Sequence, residues 1–363
     1  QLVWFVSLSA VAIMILVYFG KDIILNQVFG HITAEVKGHA DIYLLIVTAS
    51  IPFIALYNGG AAIFRAMGNS QVSMRVSLLM NAINVTGNAI LVFGLRIGTA
   101  GVAIPTLISR MVAAIVITVL LCNQTRILHI ERTLKIRFDG RMIRKILAIG
   151  VPNGLENSMF QLGKILVLSL VSTFGTYAIA ANAVSNAIAL FQILPGMAIS
   201  LAITTVISQC VGANDYEQVH YYLKKLLAII YVAMVGTVAL IFLALPLILK
   251  AYNLSDQTAA AATNIIHFHG ISAMIIWPLS FALPAAYRAA GDAKACMYTS
   301  IVSMWIFRIG FSYLVGKYMG LGVFGVWVAM VIDWVVRAIC FIIRYFNGCL
   351  LYTSPSPRDR QKS

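Results

Sequence analysis

The sequence predicts an all-α, polytopic membrane fold made of two pseudo-symmetric helical bundles, and three observations carry that prediction. The first is composition: 61% of the 363 residues are hydrophobic and only 10% are charged, whereas about a quarter are charged in soluble domains. The second is patterning, because apolar stretches of roughly 20 residues, each long enough to span a bilayer, recur along nearly the whole chain. The third is an internal repeat of short glycine motifs at nearly constant spacing. A compact soluble core could not hide this much apolar surface. In lipid, helices satisfy their own backbone polar groups.

Ten membrane segments follow in order. The first five run near Leu2–Phe19, Ile42–Phe64, Val72–Leu95, Ala100–Leu121 and Ile143–Phe174. The second five run near Ala178–Val211, Leu223–Leu249, Ala261–Ala286, Met297–Tyr318 and Val323–Ile343. The chain begins at Gln1 and enters an apolar run at once, without the basic start or small-residue cleavage site of a signal peptide. Upstream sequence is therefore expected. The last residues, Cys349–Ser363, break the pattern and back-translate to what resembles a transposase-type sequencing adapter, so a non-native tail is expected at 349–363.

The net charge of +14 lies mostly in alternate connections. One set holds Arg65 and Arg75, the bases Arg126, Arg132, Lys135, Arg137, Arg141, Arg144 and Lys145, then Lys224, Lys225, Arg288 and Lys294. The other holds Lys21, Lys37, Arg96, Lys250 and Lys317. The positive-inside rule places the first set in the cytoplasm, and a solvated membrane-surface face accounts for the charge without nucleic acid. The polar stretch 123–142 reads as a cytoplasmic linker between a bundle at 1–122 and a second at 143–348.

Arg65-Ala66-Met67-Gly68-Asn69 matches Arg288-Ala289-Ala290-Gly291-Asp292 at an offset of 223 (65 to 288). Gly98-Thr99-Ala100-Gly101-Val102 matches Gly322-Val323-Phe324-Gly325-Val326 at an offset of 224 (98 to 322). Six segments separate the matched positions, and an even number makes the repeat parallel about an axis along the membrane normal. The first bundle shows four segments and the second six, so a fold of twelve helices with two upstream is expected.

Ionisable groups deep in lipid are costly and face protein or water. The acids are Glu156 and Asp333, and the bases are Arg110, Lys164, Arg308 and Arg337. Asp333 and Arg337, four apart on one helical face, read as an ion pair of structural or coupling role with Arg308 nearby. Glu156 and Lys164 are eight apart, too far along one helix for direct contact. Asn153, Glu156, Asn157, Gln161 and Lys164 form a polar stripe, continued in other segments by Asn182 and Asn186 and by Asn84 and Asn88. Such stripes act either as interhelical glue or as the lining of a wet cavity. Several stripes with a carboxylate favour the cavity, with Glu156 as the candidate proton or Na⁺ site. Pro152, Pro195 and Pro278 read as kinks or hinges, and His267 and His269 as packing residues. The scattered cysteines have no metal spacing, and no catalytic motif is present.

These residues resemble the multidrug and toxic compound extrusion (MATE) family, in a bacterial branch near the DinF type. Gly150–Lys164 is similar to the seventh helix of that branch, and Gly175–Asn182 with Gly212–Asp215 to the eighth helix and its following loop. Arg288–Asp292, Ser303–Ile309 and Val331–Arg337 are similar to the last three helices. The likeness covers residues 1–348 as helices three to twelve. It implies two six-helix lobes around a central cavity that opens alternately to each side of a bacterial inner membrane. It also implies export of amphipathic or cationic small molecules by a monomer, in exchange for H⁺ or Na⁺ and without another cofactor. The acid that many members carry on helix one would lie upstream, and the helix-ten acid of some Na⁺-coupled members has no counterpart between Ala261 and Ala286. A lipid-linked saccharide flippase of the wider superfamily and an integral-membrane enzyme are the alternatives.

Overall fold

The computed structural model describes residues 2–23, 34–124, 128–130 and 139–348. The expected tail at 349–363 and the linker bases Arg126, Arg132, Lys135 and Arg137 lie outside them. All regular structure among the described residues is helical, and the chain divides into two compact units, Gln1–Ile146 and Leu147–Ser363.

The first unit contains α1 (Leu2–Ile23), α2 (Ala34–Ala49), α3 (Ile51–Ala66), α4 (Ser70–Asn88) and α5 (Thr99–Leu121). The segment expected at Ile42–Phe64 is two helices meeting at Ser50, since Pro52 in the first turn of α3 cannot continue the hydrogen-bond ladder of α2. Arg110 caps this joint by donating to Ser50 Oγ at 2.6 Å. α3 and α5 close on Tyr57, Phe64, Ile117 and Leu121, all buried.

The second unit begins in the first turns of α6 (Gly140–Ser172) and continues through α7 (Thr176–Gly212) and α8 (Tyr216–Ala251). α9 (Asp256–Trp277) widens into a π-helical turn at Pro278–Ala282 and runs on as α10 (Leu283–Ala289). α11 (Ala293–Ser303) widens twice, at Met304–Gly310 and Ser312–Tyr318, before α12 (Gly322–Phe346). Asp215 and Ser255 cap α8 and α9 by accepting from the backbone N–H of Gln218 and Thr258.

Among the described residues, nine helical stretches are long and apolar enough to cross a membrane. The tenth expected segment is the continuous α6, whose Arg141, Arg144, Lys145, Glu156 and Lys164 keep it outside those nine. With this helical content and apolarity the chain is a multi-pass membrane protein.

The two units share hydrogen bonds as well as motifs. At the first turn Gly68 N–H donates to Arg65 O and Asn69 N–H to Phe64 O; Gly291 N–H donates to Arg288 O and Asp292 N–H to Tyr287 O. Gly68 and Gly291 both have positive φ, at 77° and 96°, which is why glycine stands there. At the opposite hairpin Leu95 N–H reaches Ile90 O and Ile97 N–H reaches Leu91 O. Met319 to Leu314 and Leu321 to Val315 repeat that pattern at an offset of 224. The π turn Ala89–Gly94 corresponds to Ser312–Tyr318. The additional π segment Met304–Gly310 has no counterpart in α4 and accounts for the change of offset from 223 to 224, since a π turn is one residue inserted into an α-helix.

Candidate functional site

A cavity of about 670 Å³ opens within the second unit, among α6, α7, α9, the π segment at Met304–Gly310 and α12. Its walls are mostly apolar, with aliphatic side chains of α6, α7 and α12 beside the rings of Phe160, Trp277, Phe281, Trp327 and Trp334. Trp277 stacks on Phe281 at 5.3 Å between ring centroids, and Trp334 meets Phe281 edge-on at 5.7 Å. The opposite rim is polar: Trp327 Nε1 donates to Asn182 Oδ1 at 3.1 Å, and Asn186 Nδ2 donates to Asn182 O at 2.8 Å.

His269, buried and itself part of the cavity lining, donates from Nδ1 to Gln192 Oε1 at 2.5 Å, and Gln192 Nε2 donates to Ile266 O at 3.2 Å. The His269 ring meets Trp327 and Trp334 edge-on, at 5.4 and 5.3 Å. A polar chain thus locks α7 to α9, and the His269 ring carries the contact on to the two tryptophans of α12. Gly196 permits α7 to approach Trp277 closely, since a Cβ there would lie 2.3 Å from its ring.

Two cations face the cavity, Lys164 from α6 and Arg308 from the π segment. Lys164 Nζ lies 5.9 Å and Arg308 Cζ 5.4 Å from the Phe160 ring centroid. Arg337 is close to the same ring at 5.6 Å and closer to Phe281, at 4.5 Å. Among the described residues no acidic side chain lines the cavity.

The acids lie beside it and are already engaged. Glu156 is bridged by Arg288 at 3.2 Å and by Arg337 at 3.7 Å, which ties α6 to α10 and α12. Asp333 accepts from Ser303 Oγ at 2.5 Å. Asp333 and Arg337 make no direct bridge, but the two charges still act on one another, with Arg308 nearby. Residues four apart share a face, but here each side chain finds a closer partner on a neighbouring helix. Asp292 is bridged by Arg344 at the end of α12.

Of the expected site residues, Lys164, Asn182, Asn186 and Arg308 come together around the cavity. Glu156, Asn153, Asn157, Gln161, Asp333 and Arg337 do not line it. Asn157 Nδ2 donates to Asn153 O at 2.8 Å along exposed α6. Asn84 and Asn88 belong to the first unit, where they bond to each other at 3.1 Å and Asn84 bonds to Thr106 at 3.1 Å. Sequence reasoning missed the aromatic walls. The available signal was Trp327 and Trp334, seven apart on one face of α12.

Comparison with known proteins places the chain. The MatE family model matches residues 1–90 and 152–314. An uncharacterized transporter of Bacillus subtilis, YisQ, is 28% identical over 354 residues, covering 94% of this chain and 74% of its own length. A probable multidrug resistance protein of Thermotoga maritima, NorM, is 22% identical over 348 residues, with the same coverage of 94% and 74%. Among solved structures, a superfamily transporter from Pyrococcus furiosus, described as having a binding pocket of reverse polarity, aligns with a TM-score of 0.88. At 21% identity, over 98% of this chain and 78% of that one, this likeness carries the fold.

Proposed function

This chain belongs to the MatE family of membrane transporters, and on that premise we propose that it is a secondary antiporter. It exports amphipathic small molecules in exchange for H⁺ or Na⁺ by alternating access. The supporting observation is the cavity of about 670 Å³ walled by Trp277, Phe281, Trp327 and Trp334. Drug-sized ligands occupy clefts of about 300–1,000 Å³, lined by apolar and aromatic groups with a few polar ones. The names of relatives such as NorM support export of drugs.

Glu156 is the proposed coupling group, acting beside the cavity rather than in its wall. Two guanidinium groups already hold it. A proton on Glu156 would remove the charge that binds both arginines and so loosen α6 from α10 and α12. Sodium would have to displace them and gather several oxygen ligands, whereas a proton needs only one carboxylate oxygen. That contrast favours H⁺.

The test is substrate flux in proteoliposomes under imposed gradients. A pH gradient alone is expected to drive accumulation of a fluorescent amphipath, and a Na⁺ gradient alone is not. Glu156→Gln is expected to abolish the gradient dependence with insertion retained, although stranding buried Arg337 lowers the thermal midpoint. Flux indifferent to both gradients would remove the antiporter reading.

A further inference from the structure

We infer that the cavity of the second unit takes an amphipathic organic anion. Its carboxylate or sulfonate head sits between Lys164 and Arg308, and its apolar body lies against Trp277, Trp327 and Trp334. This names a cargo class for the same cavity, and binding of that class does not depend on how transport is driven.

Charge balance is the first ground. Among the described residues Glu156 is shared by Arg288 and Arg337, and Asp292 is taken by Arg344. Asp333 acts on both Arg308 and Arg337 but makes no direct ion pair with either, so among those residues the two cations that line the cavity, Lys164 and Arg308, have no carboxylate within ion-pair distance. An unpaired cation within a membrane needs a counter-charge or water. A positively charged cargo would add a third cation at the same place.

Aromatic rings can hold a cation by their faces, but here those nearest the charges are already in use. Arg308 and Lys164 lie beside Phe160, while Arg337 lies over Phe281, whose ring also stacks with Trp277. The tryptophan faces and the polar Asn182–Asn186 rim are left to the body of a cargo, away from the end of the cavity that already holds two cations.

The backbone gives an independent ground. Arg308 sits in Met304–Gly310, the π segment that the first unit lacks. At the offset of 224 its counterpart is Asn84, a neutral side chain bonded to Thr106. The inserted residue thus coincides with the change from amide to guanidinium, and π insertions occur often at functional sites.

Two probes of one shape test this, 2-naphthalenesulfonate and (2-naphthylmethyl)trimethylammonium, titrated calorimetrically into the purified chain in neutral detergent. The sulfonate is expected to bind more tightly. Lys164→Gln and Arg308→Gln should each weaken it roughly tenfold, the scale of one lost charge-assisted hydrogen bond, and leave the ammonium probe unchanged. Lys164→Arg should retain sulfonate binding, and an unaltered melting temperature shows that each variant is folded. Preference for the ammonium probe, or sulfonate binding indifferent to both substitutions, would overturn the proposal. Dodecyl phosphate in mixed micelles separates the sources of anion: its binding without that of the sulfonate would assign the site to a lipid headgroup and overturn the free anion. Sulfonate binding without gradient-driven flux would remove the antiporter reading and leave this site standing. Flux confined to cations, with no sulfonate binding, would do the reverse.

Discussion

Arg337 shows how one side chain can hold several helices together. It is 1% exposed, bridges Glu156 from α12 to α6, and packs its guanidinium over Phe281. Removing one member of a buried ionic cluster strands the others, at a cost of about 3–5 kcal/mol. Arg337→Ala is therefore expected to lower the thermal midpoint of the detergent-solubilised protein steeply. Arg288→Ala, with its partly exposed side chain, should cost far less, on the order of 1 kcal/mol. A melting curve for each variant decides, and equal losses would contradict the difference in burial. The sequence made the charged residues legible, because lipid makes every Asp, Glu, Arg and Lys conspicuous. It did not make their partners legible. Asp333 and Arg337 have ideal spacing for a pair on α12 and their charges act on each other, yet their direct contacts are Ser303 and Glu156 on neighbouring helices. Spacing along one helix fixes which face a side chain occupies, and the neighbouring helices decide what it meets there. For the same reason Glu156 and Lys164 were placed on one stripe, while the first joins a cross-helix bridge and the second faces a cavity.

At the level of helices, the repeated hairpins depend on glycine where two backbones nearly touch. A Cβ on Gly325 would stand 2.8 Å from Gly316 Cα and 2.8 Å from Val315 O. The matched Gly101 would place its Cβ 3.2 Å from the Leu91 carbonyl. Overpacking costs about 1–3 kcal/mol where nothing can yield, so Gly325→Ala should destabilise more than Gly101→Ala. Thermal midpoints in one detergent make the comparison, and the opposite order would undo the matched-hairpin account. The Gly-x-x-Gly motifs were readable because only glycine allows this approach, and the positive φ at Gly68 and Gly291 made their turns readable too. The one-residue change of offset was also visible, but its cause was not. Periodicity cannot tell an inserted π residue from a longer loop, and only the hydrogen bonds of Met304–Gly310 place it within the helix. Deleting Phe307 should restore an α-helical register, turn Arg308 by about 100° about the axis, and abolish sulfonate binding while the protein still inserts.

Across the whole chain, the charge pattern and the repeat make one joint claim about sidedness. Basic residues place the turns after α3 and α10 in the cytoplasm. The repeat independently requires matched positions to share a side, because an even number of segments lies between them. Exposed Gln71 and Lys294 are matched at an offset of 223, and exposed Ile97 and Leu321 at an offset of 224. In a background whose native cysteines are replaced by alanine, a single cysteine at each position can be probed with a membrane-impermeant maleimide. Ile97→Cys and Leu321→Cys should react in intact cells, whereas Gln71→Cys and Lys294→Cys should react only in inverted vesicles. Opposite sides for Gln71 and Lys294 would contradict the parallel repeat even if each hairpin were correct. Reversal of all four would keep the repeat and refute the orientation. Because hydrogen bonds within each unit establish the motif match and charge alone establishes the direction, this one labelling experiment separates the two grounds.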